Sequence, residues 1–263
     1  MFQDWDALIE LYSLGKLTYH KDKLFALSGI AKVVSIAEGG TDSDGYLAGL
    51  WQTSLPLRLL WHTEVVGTAD AGWGKGSWPK RHSVYIAPSW SWASVDGKVS
   101  FAWCRRNYNL KDHLVTLEHA QISPLGLDRF GGVEAGMLQL RGPLARCYWR
   151  STLSDGSIAD DKTKYGVVLK IAPFDASVEA VRLPFTQGTE IHFDVFDEDQ
   201  PEQLTLLPIV FTAYTDLDGS ETMLGLVLHE RRHGVFERLG VFRSVDSHFC
   251  KMRHAPQQSI MLI

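Results

Sequence analysis

Cysteine is scarce in this sequence: only Cys104, Cys147 and Cys250 occur, far apart and never as a Cys-x-x-Cys pair. That scarcity excludes a disulfide framework and cysteine-based zinc modules, and it predicts reduced, buried thiols in a cytoplasmic protein. Long apolar runs are missing too, none approaching the ~18 residues that a membrane-spanning helix requires. The opening stretch MFQDWDALIELYS carries Asp4, Asp6 and Glu10 where a secretory leader would carry basic residues. Nor is there a surplus of positive charge, since 26 Lys and Arg face 31 Asp and Glu for a net charge of −5. Such a balance gives no attraction to nucleic acid or to an anionic membrane, so neither is expected as a partner. The short clusters Lys80-Arg81-His82 and Arg231-Arg232-His233 read as solvated loop charges. No internal repeat or low-complexity tract is found.

What the sequence does hold is aromatic mass: 9 Trp, 8 Tyr and 12 Phe in 263 residues, with 45% hydrophobic residues overall. Large rings need packing partners, so the chain is expected to fold around a substantial core. In DWDALIELYS the residues Trp5, Leu8, Ile9 and Tyr12 repeat at helical spacing, and Gly15 follows as a stop. A second helical stripe runs through Leu24, Leu27, Ile30, Ala31 and Val34 and ends at Gly39-Gly40. DGYLAGLW and SLPLRLLWH read as two short helices, with Ser54 as cap and Pro56 in the first turn of the second. Beyond residue 89, runs such as KVSFAW, LVTLEHAQIS, LTLLPIVFTAYT and TMLGLVLHE alternate in the manner of antiparallel strands. The expected fold is therefore α+β. A helical segment over 1–66 and a Gly/Pro-rich link over 67–88 lead to a β-rich antiparallel sandwich or barrel over 89–263, on which the helices pack.

Candidate chemistry is thin. His229-Glu230-Arg231-Arg232-His233 spells the H-E-x-x-H zinc-protease pattern, which needs a helix to bring both imidazoles to one metal. Here the pentad lies between two strand-like runs and reads as a hairpin tip. The extended pattern also fails, because Phe236 and Leu239 stand where Gly and His are required. His229, Glu230 and His233 are accordingly rejected as a metal site. TDLDGSET, with Asp216, Asp218 and Glu221, lacks the spacing of a calcium loop and reads as a turn. GWGKGSWP over 72–79 falls short of a phosphate-binding loop. The acidic group Asp194, Asp197, Glu198, Asp199 and Glu202 suits a solvated loop better than a glycosidase pair. Ser28, Ser91 and Ser94 have no nucleophile elbow around them. No catalytic residue, cofactor or metal is expected. A hydrolase, through HERRH or the carboxylates, and a carbohydrate-binding module with exposed Trp or Tyr are the alternatives.

The stretch PSWSWASVDGKV is distinctive: Trp90 and Trp92 alternate with Ser91 and Ala93 as on a strand with one bulky face, and Asp96-Gly97 closes it with a turn. It resembles the region that follows the heterokaryon incompatibility (HET) domain in a large family of filamentous-fungal proteins. Three further segments match in order. YSLGKLTYHKDKLFALSGIAKVV supplies Asp22, Lys23, Leu24, Leu27 and Gly29; YLAGLWQTSLPLRLLW supplies Gly49, Trp51 and Trp61; LGLVLHERRHGVFERLGVF supplies Arg238 and Gly240. The family's upstream HET domain, with its L-S-Y-x-W-G and R-x-W-x-x-Q-E segments, is not present. The resemblance therefore implies the C-terminal part of such a protein, as a short form or a fragment. It further implies a non-enzymatic regulatory or recognition module in non-self recognition and programmed cell death, acting through a protein partner and normally preceded by the HET domain. Trp90, Trp92, Asp96 and Gly97, with the residues just named, are its structural signature.

Overall fold

The computed structural model describes residues 2–37, 39, 45–64, 79–105, 108–109, 112–148, 170–172, 181–182, 189–195, 201, 203–212, 221–246 and 249–263. Two helices open the chain, α1 (Phe2–Ser13) and α2 (Phe25–Ala37). On α1 the expected apolar face is the buried one: Trp5 and Ile9 are sequestered, while Leu8 and Tyr12 pack at its margin. On α2 the buried residues are Leu27, Ala31 and Ser35; Leu24 precedes the helix, and Ile30 is 45% exposed rather than part of the stripe.

The two short helices expected next are not there. YLAGLW is instead a hairpin of β1 (Tyr46–Leu47) and β2 (Leu50–Trp51). Its two turn residues, Ala48 (φ 45) and Gly49 (φ 96), take the left-handed conformations that a tight hairpin demands and a helix forbids. QTSLPLRLLWH forms short 3-10 turns over Gln52–Ser54 and Leu57–Leu60 before β3 (His62–Glu64). Of the expected link, residues 67–78 lie outside the described residues. Its remainder contains β4 (Lys80–Arg81), paired antiparallel with β5 (Val95–Asp96), and β6 (Lys98–Ser100) pairs with β3.

Trp90 and Trp92 do not sit on an alternating strand. Pro88 to Ser91 form a turn and Trp92–Ser94 a 3-10 turn, in which the Ser91 hydroxyl accepts from the Ala93 N–H at 3.1 Å. Both tryptophans, Ser91 and Ala93 are all buried, so the segment has no solvent face. A serine positioned to cap its own turn outcompetes the strand ladder here.

The rest is a mostly antiparallel sheet of ten described strands. In chain order these are β7 (Thr116–Pro124), β8 (Val133–Pro143), β9 (Ala145–Tyr148), β10 (Lys170–Ala172), β11 (Val181–Arg182) and β12 (Thr189–Phe193). β13 (Gln203–Thr212), β14 (Thr222–Arg232), β15 (Val235–Ser244) and β16 (Gln257–Leu262) complete it. The spatial order is β11-β10-β9-β13-β14-β15-β16-β8-β7, with β12 on β15, and β15–β16 is the parallel pair. The sheet curls without closing into a barrel. At a bulge after Pro208 the Ile209 carbonyl leaves the β13–β14 ladder and accepts from the Leu114 N–H at 2.9 Å, and His113 makes an isolated bridge to Val210. The central strands are apolar on both faces. One face joins a core running from Trp5 to Leu262, and the other joins Phe249, Cys250 and Met252 from the 3-10 segment Phe249–His254. All three cysteines are buried free thiols. Among the described residues no helix is long and apolar enough to cross a membrane.

Candidate functional site

Most residues of the signature meet at one buried joint. The Gly49 carbonyl accepts from the indole N–H of both Trp5 and Trp92, each at 3.0 Å. The Trp61 indole donates to the Trp90 carbonyl at 2.9 Å, and Trp51 meets Trp5 edge-on at 5.6 Å. Arg238, fully buried, stacks 3.5 Å from the Trp61 ring and donates to the Leu59 and Trp61 carbonyls and to Asp194 Oδ1 at 2.7 Å. A close approach of β12 explains Gly240, whose added Cβ would collide with the His192 carbonyl. Asp22 and Gly29 stand apart: both are exposed, and Gly29 has open space where a side chain would go.

Asp194 overturns the reading of its segment as a solvated acidic loop. It is 1% exposed, pairing with Arg238 and, through Oδ2, with Arg81 at 3.2 Å. Burial pushes its pKa up, against the pull of the two guanidinium groups. Asp197, Glu198, Asp199 and Glu202 lie outside the described residues, as do Asp216, Asp218 and most of GWGKGSWP. Of Lys80-Arg81-His82 only Lys80 is exposed as a solvated charge. Arg81 donates to Asp194, to the Ser94 hydroxyl and to the Arg238 carbonyl, and His82 is 19% exposed.

The HERRH pentad lies in the β14–β15 hairpin. His229 sits opposite Glu237, His233 is fully exposed at the turn, and Glu230 Oε1 accepts from the Gly234 N–H at 3.0 Å. Ser28, Ser91 and Ser94 each donate to a backbone carbonyl.

A cavity of about 730 Å³ opens where β4, β5 and the turn before α2 converge. Among the described residues five cationic side chains line it, Lys16, Lys23, Lys80, Arg81 and Lys98, together with His20, His82 and one carboxylate, Asp96. The register Lys80↔Asp96 brings His82 beside that carboxylate, and the 3-10 turn His20–Asp22 delivers His20 and Lys23 from the other side. His20 Nδ1 lies 2.9 Å and His82 Nε2 2.5 Å from Asp96 Oδ2, while Lys23 Nζ lies 3.4 Å from Oδ1 and also donates to the Val95 carbonyl. Burial works to raise the Asp96 pKa, but His82, Lys23 and His20 outweigh it and hold the carboxyl below its ordinary value. Burial lowers the Lys23 pKa, with Asp96 opposing. The segment signature includes Lys23 and Asp96; His20 and His82 had no signal in the sequence, because nothing in their spacing ties them to Asp96. No family model matches this chain, and no curated protein or solved structure matches it either.

Proposed function

We propose that this chain is a non-enzymatic recognition module of the heterokaryon-incompatibility type, a cytoplasmic protein acting through a protein partner in non-self recognition and cell death. One observation supports the reading above the rest. The segments that resemble the family lie far apart in sequence, yet their tryptophans, Gly49, Lys23, Asp96 and Arg238 hold one another in place. Such mutual packing supports a structural role for the residues on which the resemblance rests. The β-rich part is then a curled sandwich with a core on each face, and the helices cover one of them.

Co-expression tests the function. The chain is expressed in a filamentous fungus with a separately encoded HET domain, and death is scored by uptake of a membrane-impermeant dye. The module should raise or suppress uptake relative to the HET domain alone, and Trp92→Ala should abolish that change. Equal uptake with and without the module would sink the proposal.

A further inference from the structure

We propose that His20, His82 and Asp96 form a binding site for a divalent transition metal ion, zinc by ligand chemistry. This inference goes beyond the recognition role and stands independently of it. Among the described residues these are the three ligand-type side chains that converge, with donor atoms all within 4.8 Å of one another. Two imidazoles and one carboxylate are the borderline nitrogen and oxygen donors that zinc accepts, three from the protein with further positions left open.

The decisive detail is how His82 meets Asp96. Its Nε2 is buried and 2.5 Å from Oδ2, so imidazole and carboxylate already present their donor atoms at one spot. The His20 ring stacks on the His82 ring with centroids 4.0 Å apart, so its Nδ1 reaches the same spot.

Around this triad the supports of a metal site are present. Lys23 holds the second oxygen of Asp96, leaving Oδ2 for the ion, in the way outer-shell groups orient a ligating carboxylate. Donors of a tetrahedral zinc site, each ~2.0–2.1 Å from the metal, lie roughly 3.3 Å apart. Both imidazole nitrogens are already closer than that to Asp96 Oδ2, at 2.9 and 2.5 Å, so an ion entering among them moves the donors slightly apart, which the half-exposed His20 can accommodate. Lys23 and the cationic walls oppose a dication, so the open positions facing the cavity favour water, hydroxide or an anionic ligand.

The test uses the full chain, stripped with chelator and titrated with Co2+ alone, then with Zn2+. The expected result is one equivalent of Co2+ with the ligand-field absorption of a low-symmetry nitrogen and oxygen site, displaced by Zn2+. His20→Gln and His82→Ala should each weaken binding by about tenfold to a hundredfold or more. His20→Gln alters a half-exposed side chain and serves as the variant that keeps the fold, checked by its metal-free melting temperature. His229→Ala/His233→Ala should leave the affinity unchanged. No stoichiometric uptake, undiminished binding by His20→Gln, or loss of binding in the His229/His233 variant would each overturn the proposal.

Discussion

Arg238 and Asp194 illustrate how a buried charge is tolerated at the scale of one residue. The two terminal nitrogens of the guanidinium donate to two carbonyls and a carboxylate oxygen and the group lies on the Trp61 face, with Nε alone lacking a hydrogen bond among the described residues, while the other carboxylate oxygen goes to Arg81. Removing one partner leaves the other uncompensated in a low-dielectric interior, which costs far more than the pair contributes. Asp194→Ala should lower unfolding stability by about 3–5 kcal/mol in chemical denaturation. His62 behaves differently, because burial outweighs the pull of the nearby Glu64 carboxylate. Burial first, then the nearby His192, lowers its pKa from the ordinary 6.5 to about 4. A base with a depressed folded pKa stabilises fully above its unfolded pKa, and that contribution is lost as pH falls from 6.5 through 4. The loss amounts to up to about 3 kcal/mol. Asp6 acts in the opposite sense: burial outweighs Arg58 and raises its pKa to about 6, so acidification between 6 and 3.8 favours the fold through this group. Comparing His62→Phe with wild type separates the two. The variant keeps a ring against Trp103, 4.8 Å away, and its stability should fall less steeply below pH 6.5. Parallel pH profiles would refute the assignment.

The β1–β2 hairpin shows what is decided at the scale of an element. Its six residues, YLAGLW, have helical composition, and only the positive φ angles at Ala48 and Gly49 turn them into a hairpin. Gly49 could not be replaced without consequence: besides its φ, an added Cβ would collide with the Trp92 indole nitrogen. Gly49→Ala should therefore destabilise by more than about 1 kcal/mol in a thermal melt, well above the effect of the same change at exposed Gly29. This element also marks where sequence reading fails. The α1 face, the sheet strands and the HERRH hairpin are legible because a period of 3.6 or 2 runs through them. The 46–61 turns and the Trp90–Trp92 segment are not, because tertiary partners and a Ser91 cap override local propensity there.

For the whole molecule, the significant fact is that one continuous core includes Trp5 of α1, Trp61 and Trp92 of the middle segment, and Leu262 of β16. Helical and β-rich parts divide the chemistry of burial between them, so neither keeps its apolar face covered alone. Urea unfolding followed by far-UV circular dichroism and by tryptophan fluorescence should give coincident transitions. An early fluorescence change preceding loss of the sheet would show that the helices melt separately. The same long-range assembly hid the Asp96 site. His20, His82 and Asp96 arrive from three separate elements, and only the β4–β5 pairing and the turn before α2 bring them together. No local pattern carries that information.

The shared acceptor at Gly49 has a dynamic counterpart. Two indole protons, on Trp5 and Trp92, end on one oxygen, so a motion that withdraws this carbonyl exposes both to solvent in the same event. In heavy water their nuclear magnetic resonance signals should fade with a common opening free energy, although one indole belongs to the first helix and the other to the turn before β5. Two tryptophans so far apart in the chain would then act as a single reporter of whether the helical and β-rich parts are joined.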